Sequence, residues 1–210
     1  MSQFKYLDIE KWNRKNTFLF YKQFEDPCTN VTANINVTAA YNYSKTAGQS
    51  FFLLCLYYAT RAANAIENFR YRMEADKVRI YEKVHPGSTI LYDDNTFGYA
   101  YFEYQDDVEL FIRNGEKVVE NQKNMKPFAT SPPHNGFIYF SVIPWISFTS
   151  IKHARDNDSD HSIPRIVFGK YFRYGKKIMM PISVEVHHAL VDGYHIGKYF
   201  KNLEENMCWL

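Results

Sequence analysis

The sequence predicts an α/β fold, a two-layer sandwich in which helices cover mainly one face of a mixed, largely antiparallel sheet. The first observation is composition, since 210 residues with 46% hydrophobic and 23% charged content can form a sizeable buried core. The second is that segments with strand alternation occur in groups, with only three or four segments of helical spacing between them. No repeat and no Pro/Gly/Ser-rich linker divides the chain, so we expect one domain over residues 1–210.

The elements of the first half follow from capping residues and periodicity. Asp8 stands where a helix N-cap is expected, and apolar residues then recur at helical spacing over residues 9–23. Residues 50–68 predict an Ala-rich apolar helix, and Pro86-Gly87 predicts a turn between strands. The strands predicted here are 29–38, with Val31, Ala33, Ile35 and Val37 on one side, 69–73, 78–84, 89–92 and 99–104.

The second half opens with a helix whose N-terminus is marked by Asp106 and Asp107. Strand periodicity then returns until Asp192-Gly193, where a final helix begins. The apolar face of that helix is predicted from Ile196, Tyr199 or Phe200, Leu203 and Met207. The strands predicted in this half are 137–142, 146–150, 166–173 and 178–186.

Charge, hydropathy and cysteine content exclude several classes of function. The formal net charge is only +2 and the basic residues are scattered, so we expect no nucleic-acid partner. The longest apolar stretch, residues 51–59, is too short for a bilayer span, and no secretory signal is present; we expect no membrane partner and a cytoplasmic protein. Cys28, Cys55 and Cys208 are widely spaced without a CxxC, so neither a disulfide nor a zinc site is expected.

The histidines offer the clearest chemical signal, because the motifs GxGxxG, GxxxxGK[ST], GxSxG and HExxH are all missing from the sequence. Their one cluster lies in residues 186–195, VHHALVDGYH. His188 continues the apolar strand face that includes Val186, whereas His187 falls on the opposite face. A histidine in an apolar, partly dry environment stays neutral, as a general base must. A buried core histidine fits the same pattern, but the carboxylate four residues after His188, at a strand-to-helix corner, favours the base.

A metal site is another interpretation of the cluster, since imidazole and carboxylate groups are ligands of zinc and iron. The candidate ligands are His187, His188, Asp192 and His195. Neighbouring residues of a strand point to opposite faces, so His187 and His188 are poorly placed to share one ion. We therefore expect no metal.

Four segments share residues and order with one enzyme family. Residues 8–18, DIEKWNRKNTF, fit D-[IV]-x-x-W-x-R-[KR]-x-x-F, and residues 141–150, SVIPWISFTS, fit S-x-x-P-W-x-x-F-x-S. Thr96-Phe97 matches a TF pair, and the histidine cluster fits HHxxxDG. In these motifs, which span nearly the whole chain, the sequence resembles the chloramphenicol acetyltransferases. HHxxxDG alone is less specific, because peptide-synthetase condensation domains and dihydrolipoamide acyltransferases carry it or a relative of it.

The resemblance implies a homotrimer that transfers the acetyl group of acetyl-CoA to a hydroxyl of chloramphenicol, an activity that confers antibiotic resistance. Acetyl-CoA is then a co-substrate, no bound cofactor is implied, and transfer is direct, in a ternary complex without an acyl-enzyme. The resemblance gives His188 the role of general base and Ser141 that of hydroxyl donor to the oxyanion. It pairs Asp192 with Arg14 in a buried ion pair that holds the catalytic corner in place.

The resemblance also assigns the substrate pockets, with Tyr171 on the CoA side. The acceptor-pocket positions are Phe20, Tyr21, Phe97, Tyr99 and Val167. Val167 stands where the family has a threonine that assists the transition state through a water, and Tyr99 replaces a small residue, taking volume that an antibiotic ring needs. Residues 151–154, IKHA, differ from the usual N-L-N, so one wall of the pocket differs.

Two further functions stay open beside chloramphenicol acetylation. The chain fits an acetyltransferase of a different hydroxylated small molecule, or a non-catalytic binding protein descended from the same fold. The presence of His188, Asp192, Arg14 and Ser141 together speaks against the second, since a protein freed of chemistry need not keep all four.

Overall fold

The computed structural model describes residues 3–126, 134–154 and 162–208, which form ten strands and five α-helices. Short 3-10 turns cover Ile9–Lys11 and Glu67–Arg70. The helices are α1 (Lys15–Tyr21), α2 (Thr38–Thr46), α3 (Phe51–Asn64), α4 (Val108–Met125) and α5 (Gly193–Cys208). The strands are β1 (Phe4–Tyr6), β2 (Cys28–Asn36), β3 (Tyr71–Glu74), β4 (Lys77–Tyr81), β5 (His85–Leu91), β6 (Phe97–Tyr101), β7 (Phe137–Ile143), β8 (Arg165–Gly169), β9 (Phe172–Tyr174) and β10 (Lys177–His187).

The strands form two sheets. A seven-stranded sheet runs in the order β2-β10-β8-β7-β5-β6, with β9 also paired to β10, and a three-stranded sheet runs β1-β4-β3. Only the β5–β7 and β7–β8 pairs are parallel, and the other pairs are antiparallel. The mixed, largely antiparallel sheet predicted from the sequence is confirmed.

The hydrophobic core lies on one face of the large sheet. Phe140, Phe168 and Ile182 belong to the same buried cluster as Leu54 of α3 and Leu203 of α5. Since side chains alternate along a strand, the residues next to them in sequence face away from these helices. Helices therefore cover mainly one face of the sheet.

The capping and periodicity arguments hold for the long helices. Ser50 caps α3 by accepting a hydrogen bond from the backbone of Leu53, and Asp107 caps α4 through Leu110. The predicted apolar face of α5 is confirmed, because Ile196, Tyr199, Leu203 and Met207 are all buried. No helix within the described ranges is long and apolar enough to cross a membrane.

The helix predicted over residues 9–23 is wrong in its extent. Asp8 caps only a 3-10 turn, and the backbone of Trp12 is extended (φ −77°, ψ 125°), which interrupts the helix before α1. Arg14 then occupies the N-cap position of α1. Two short helical segments, Ile9–Lys11 and Lys15–Tyr21, therefore replace one long helix.

The turn predicted at Pro86-Gly87 is also wrong, because both residues lie inside β5. Proline lacks an N–H, but at this position β5 needs only the carbonyl of Pro86, which accepts a hydrogen bond from Phe102 N at 2.9 Å. Gly87 fits because a Cβ atom there would lie 2.9 Å from the Tyr101 ring. The Pro86-Gly87 dipeptide therefore reflects close packing against Tyr101 rather than a turn of the chain.

Four further differences concern the strands and one helix. Residues 146–150 form no strand; instead, Ile146 O accepts from Lys170 N at 2.9 Å, so the segment is held to the bend between β8 and β9. That bend also divides the strand predicted over 166–173. Helix α2 was not predicted. Val31, predicted to share a strand face with Ile35, is exposed, because the core cluster covers the end of β2 that holds Ile35.

Candidate active site

The His188 corner, residues 187–192 with Arg14, Tyr21 and His195, begins where β10 ends. His188 donates its backbone N–H to Pro27 O at 2.8 Å, and its ring stacks on Tyr21 with centroids 4.1 Å apart and planes 11° apart. The His188 Nδ1 atom is buried and has no hydrogen-bond partner among the described residues. The alternation of β10 stops at His187, so His188 lies against an aromatic ring rather than continuing the apolar face of the strand.

The neighbouring His187 shapes the turn that carries His188. Its ring is buried, and its Nδ1 accepts from Ala189 N at 3.2 Å. Its carbonyl accepts from Leu190 N and Val191 N, both at 3.0 Å. Asn68 adds a side-chain hydrogen bond to Leu190 O at 2.8 Å. The turn is therefore held from both sides.

Asp192 joins two helices at this corner. Its carboxylate pairs with Arg14 at the start of α1 and accepts from Tyr194 N at 3.1 Å at the start of α5. His195 Nδ1 lies 2.7 Å from Asp192 Oδ1. Burial acts to raise the pKa of Asp192, but the hydrogen bond from Arg14 and the neighbouring positive charge outweigh burial and leave that pKa below its usual value.

The Arg14–Asp192 pair is present but less enclosed than a buried pair. The two side chains keep 16% and 27% of their exposed surface. Burial also lowers the pKa of His195 below its ordinary value despite the nearby carboxylate of Asp192. The imidazole of His195 is therefore neutral near pH 7, and the charge of the corner is carried by the ion pair.

Ser141 belongs to a different part of the molecule, the Ser141 row, which is made of Tyr99, Thr89, Ser141, Val167 and Ser183. Strand register pairs Tyr99 of β6 with Thr89 of β5, and Ser141 of β7 with Val167 of β8 and, beyond it, Ser183 of β10. Thr89 and Ser141 directly follow the last β5–β7 pair, Ser88 and Phe140. The hydroxyl oxygens of Ser141 and Thr89 are 3.5 Å apart. Residues in one register row share a face, and this face points away from the helices.

A cavity of about 430 Å³ opens beside this row. The pairing of β5 with β7 ends at Ser88 and Phe140, and the cavity lies beyond that point, between Thr89 to Leu91 and Ser141 to Val142. Its remaining lining residues are Phe52, Phe97, Val119, Lys123, Pro144 and Trp145. The cavity is mostly apolar and has the hydroxyls of Thr89 and Ser141 in its wall, as expected for a small-molecule site.

The structure places the predicted pocket residues in separate groups. Phe97 lines the cavity, Val167 lies fully buried beside Ser141, and the Tyr99 ring packs edge-on against Phe97 with centroids 5.8 Å apart. Tyr99 itself is not among the cavity's lining residues. Phe20 packs edge-on against Tyr21 at 5.0 Å, which places both in the neighbourhood of His188 instead.

Tyr171, predicted on the CoA side, borders a second cavity of about 200 Å³. Its ring lies 5.0 Å from that of Tyr41, and the hydrogen bond between the two side chains raises the pKa of Tyr171. The two cavities share Phe52, Val142 and Pro144 in their walls, so they adjoin.

Ser141 and His188 are far apart within one chain. Ser141 lies in register with Val167 and Val167 with Ser183, which is two strand spacings away and five residues before His188. With spacings of about 4.8 Å between strands and 3.3 Å per residue, the two Cα atoms are roughly 19 Å apart. Side chains of this length cannot meet at one small substrate from that distance.

The metal interpretation gains no support from the geometry. Within the described residues, no group of three or more His, Cys, Asp or Glu side chains is arranged to hold a metal ion. His187 uses its Nδ1 for the turn, and His195 is engaged by Asp192.

Comparisons with known proteins identify the family. The model of the family described as chloramphenicol acetyltransferase matches residues 2–204. The chain belongs to this family. A chloramphenicol acetyltransferase of Clostridium perfringens is 33% identical over 207 residues, which cover 97% of this chain and 94% of the relative. One of Escherichia coli is 30% identical over 201 residues, which cover 95% and 91%.

A solved structure of a chloramphenicol acetyltransferase superimposes with a TM-score of 0.88 at 30% identity, covering 98% of this chain and all of the other. The fold and the resemblance read from the sequence motifs are confirmed, and the chain is an acyltransferase.

The geometry of the site singles out three residues whose contacts the sequence did not predict, although His195 was named as a candidate metal ligand. Thr89 contacts the Ser141 hydroxyl, Asn68 holds the histidine turn, and His195 contacts Asp192. His195 had a signal, since it lies three residues after Asp192 and so one helical turn away. Thr89 and Asn68 had none, because only strand register and tertiary packing bring them to the site.

Proposed function

We propose that the chain, as a single domain over residues 1–210, transfers the acetyl group of acetyl-CoA to a hydroxyl of chloramphenicol or of a similar small alcohol. The observation that carries this proposal is the corner itself, where His188 has one ring nitrogen buried and its ring fixed on Tyr21. Such a ring is oriented for proton transfer through its other nitrogen, Nε2. The family membership supports acetyl-CoA as co-substrate, as in its named relatives.

The proposed reaction is a direct transfer between two bound substrates. His188 Nε2 takes the proton of the acceptor hydroxyl while that oxygen attacks the thioester carbonyl. Ser141 donates its hydroxyl hydrogen to the oxyanion of the tetrahedral intermediate. The C–S bond then breaks, and the His188 imidazolium gives its proton to the departing sulfur, so that CoA leaves as the thiol and His188 is neutral again. Holding both substrates in place supplies much of the rate, because it removes the entropy cost of their encounter.

Ser141 and His188 must come from different copies of the chain for this reaction. The estimated separation of roughly 19 Å within one chain supports a site shared between neighbours. Exposed apolar side chains near both residues, Phe20 at 54% and Trp145 at 63%, support a surface that a second copy covers. A homotrimer, as the resemblance implies, gives three such sites.

The choice of acceptor depends on the row rather than on the corner. The apolar walls of the larger cavity support an aromatic alcohol beside Ser141. Tyr99 packs behind Phe97, and its bulk supports weaker binding of chloramphenicol than of a slimmer alcohol.

The decisive experiment is a thiol-release assay with acetyl-CoA and a panel of hydroxylated acceptors that includes chloramphenicol. Turnover of chloramphenicol supports the proposal, and turnover of another alcohol alone supports the different-acceptor function. If acetyl-CoA binds but no acceptor releases the thiol, the chain is a binding descendant and the proposal fails.

Mixing two inactive variants tests the shared site. In a site built from His188 of one copy and Ser141 of another, His188→Ala and Ser141→Ala chains refolded together at equal amounts regain about one quarter of wild-type activity, because a quarter of neighbouring pairs are intact. No recovery in a mixture that forms mixed trimers, or full activity in a stable monomer, contradicts a site shared between copies.

A further inference from the structure

The carboxylate of Asp192 has a second side-chain neighbour besides its ion-pair partner. Arg14 contacts Oδ2, whereas His195 Nδ1 lies 2.7 Å from Oδ1. The His195 side chain is only 13% exposed, and it stands in the first turn of α5, three residues after Asp192. The contact is short enough for a strong hydrogen bond.

The position of the proton in this contact follows from the charges. The Asp192 carboxyl is ionised near neutral pH, because its pKa lies below the usual value, so it has no proton to donate. The backbone N–H of Asp192 also faces His195 Nδ1, but at the longer distance of 3.3 Å. At 2.7 Å two lone pairs would repel each other, so the shorter contact with the carboxylate decides the tautomer: His195 carries its hydrogen on Nδ1 and donates it to Oδ1. Burial keeps the ring neutral by lowering the pKa of His195.

We propose that His195 is a positioning residue for acetyl transfer, because its Nδ1–H fixes the Asp192 carboxylate on Arg14 and thereby aligns the Tyr21 ring on which His188 stacks. This inference rests on the proposed function. The link is physical at each step: Arg14 is the N-cap residue of α1, and that seven-residue helix ends at Tyr21. The ring of Tyr21 then sets the plane of His188 at 4.1 Å.

The remaining contacts of Asp192 cannot replace His195. The backbone donors of Tyr194 and His195 lie 3.1 Å and 3.4 Å from Oδ1, which makes them longer than the imidazole contact. The Arg14 side chain has no alternative hydrogen-bond acceptor among the described residues, since its Nε and second Nη are buried without a partner. Among those residues, its only other contact of note is with the Trp12 ring, whose centroid is 6.0 Å away. Without the His195 contact, the carboxylate can rotate about the Cβ–Cγ bond of Asp192. That rotation would loosen Arg14, α1 and the ring of Tyr21 together.

The test compares two substitutions at this position. Asn places an amide N–H near the site of Nδ1–H, whereas Leu has similar bulk and no donor. We expect His195→Leu to lower kcat about 10-fold or more while KM for acetyl-CoA changes less than about 2-fold, because a misaligned base slows transfer without changing how acetyl-CoA is bound. His195→Asn should recover most of the lost kcat.

Leu203→Ala is the matched control for general loosening of α5, since Leu203 is fully buried two turns further along the same helix. It should lower Tm and leave kcat near that of wild type. Equal loss of kcat in the Leu and Asn variants at position 195, unchanged kcat in both, or an equal loss in Leu203→Ala overturns the positioning role.

Nitrogen NMR of the histidine rings gives a readout that does not need turnover. The ring of His195 should be the Nδ1–H tautomer, and the His188 signals should shift in His195→Leu and return in His195→Asn. An Nε2–H tautomer or unmoved His188 signals overturn the inference. Because these signals are measured without substrate, a wild type that acetylates no acceptor defeats the proposed function while the role of His195 is still decided.

Discussion

The His188 corner and the Ser141 row are held by different forces. Ion pairing, helix capping and ring stacking hold the corner, and its polar contacts join segments as distant as Arg14 and Asp192. Strand register and apolar packing hold the row, where Val167 and Ser183 are fully buried. Changes in the corner should therefore act through orientation and charge, whereas changes in the row should act through a single hydroxyl or through volume.

The largest expected effect is at the corner. His188→Ala should lower kcat by about 10²- to 10⁴-fold with near-normal folding, because it removes the proposed base. The matched variant His187→Ala should lose far less kcat but lower Tm, since it empties a buried site and frees Ala189 N. Steady-state kinetics and thermal melts of both variants check this, and a His187→Ala enzyme that is the less active of the two would reverse our assignment.

In the row, the largest effect should come from Ser141. Ser141→Ala should lower kcat about 10²-fold, close to 3 kcal/mol of transition-state stabilisation, with little change in Tm. Ser183→Ala is the control, because it lies two strands away in the same row and its hydroxyl contacts Asn30 at 2.8 Å. It should leave kcat unchanged. If Ser141→Ala and Ser183→Ala had the same kcat, the hydroxyl of Ser141 would have no special role in the reaction.

The Arg14–Asp192 ion pair distinguishes the His188 corner from the Ser141 row further, because breaking the pair should lower stability as well as rate. Arg14→Ala or Asp192→Ala should cost about 2 kcal/mol, which is less than a fully buried pair, and should lower Tm by roughly 4 to 8 °C. Asp76→Ala breaks the exposed Lys22–Asp76 pair and should change Tm little. Equal melting temperatures for all variants would show that the pair at the corner holds nothing.

Lowering the pH should remove the stabilisation that the Arg14–Asp192 ion pair provides. The pKa of Asp192 is lowered in the folded protein, so its stabilisation is complete above the ordinary value of 3.8 and is lost as the pH falls through the lowered value. The difference in unfolding free energy between wild type and Asp192→Asn should therefore be constant at neutral pH and shrink in strong acid. Urea unfolding at several pH values measures it, and a difference that grows in acid contradicts the ion pair.

The smallest effects should lie in the acceptor side of the row. Tyr99→Ala should lower KM for chloramphenicol several-fold by letting Phe97 move back, with kcat changed less. Val167→Thr restores a hydroxyl beside Ser141 and should raise kcat only a few-fold. Steady-state kinetics of both variants check this. A KM that does not change in Tyr99→Ala would mean that the ring behind Phe97 does not limit the pocket.

Sequence reasoning succeeded where a local rule decides the structure. The Asp107 cap, the apolar face of α5 and the strand that leads to His187 were all predicted, because capping and periodicity are set by nearby residues. It failed where a distant contact decides. Pro86 and Gly87 read as a turn, but the ring of Tyr101 needs the space above a glycine in the strand.

The site divides in the same way. Arg14 and Asp192 came from motif resemblance and are in contact, since a family pattern records a tertiary pairing that local rules cannot supply. Phe20 and Tyr21 were placed in one pocket with Phe97, yet in one chain they lie with His188 instead. No pattern along a single sequence shows which predicted pocket residues the fold brings together and which it keeps apart.

The pairing of β2 with β10 has a consequence for the kinetics of folding. Arg14 and Asp192, which meet beside this strand pair, are 178 positions apart in the chain. Bringing these two residues together closes a long loop, which costs conformational entropy. That cost is small only after the sheet between them has formed. The corner should therefore be among the last regions to form during refolding. A spectroscopic probe on Tyr21 would then report the arrival of the native state rather than early collapse.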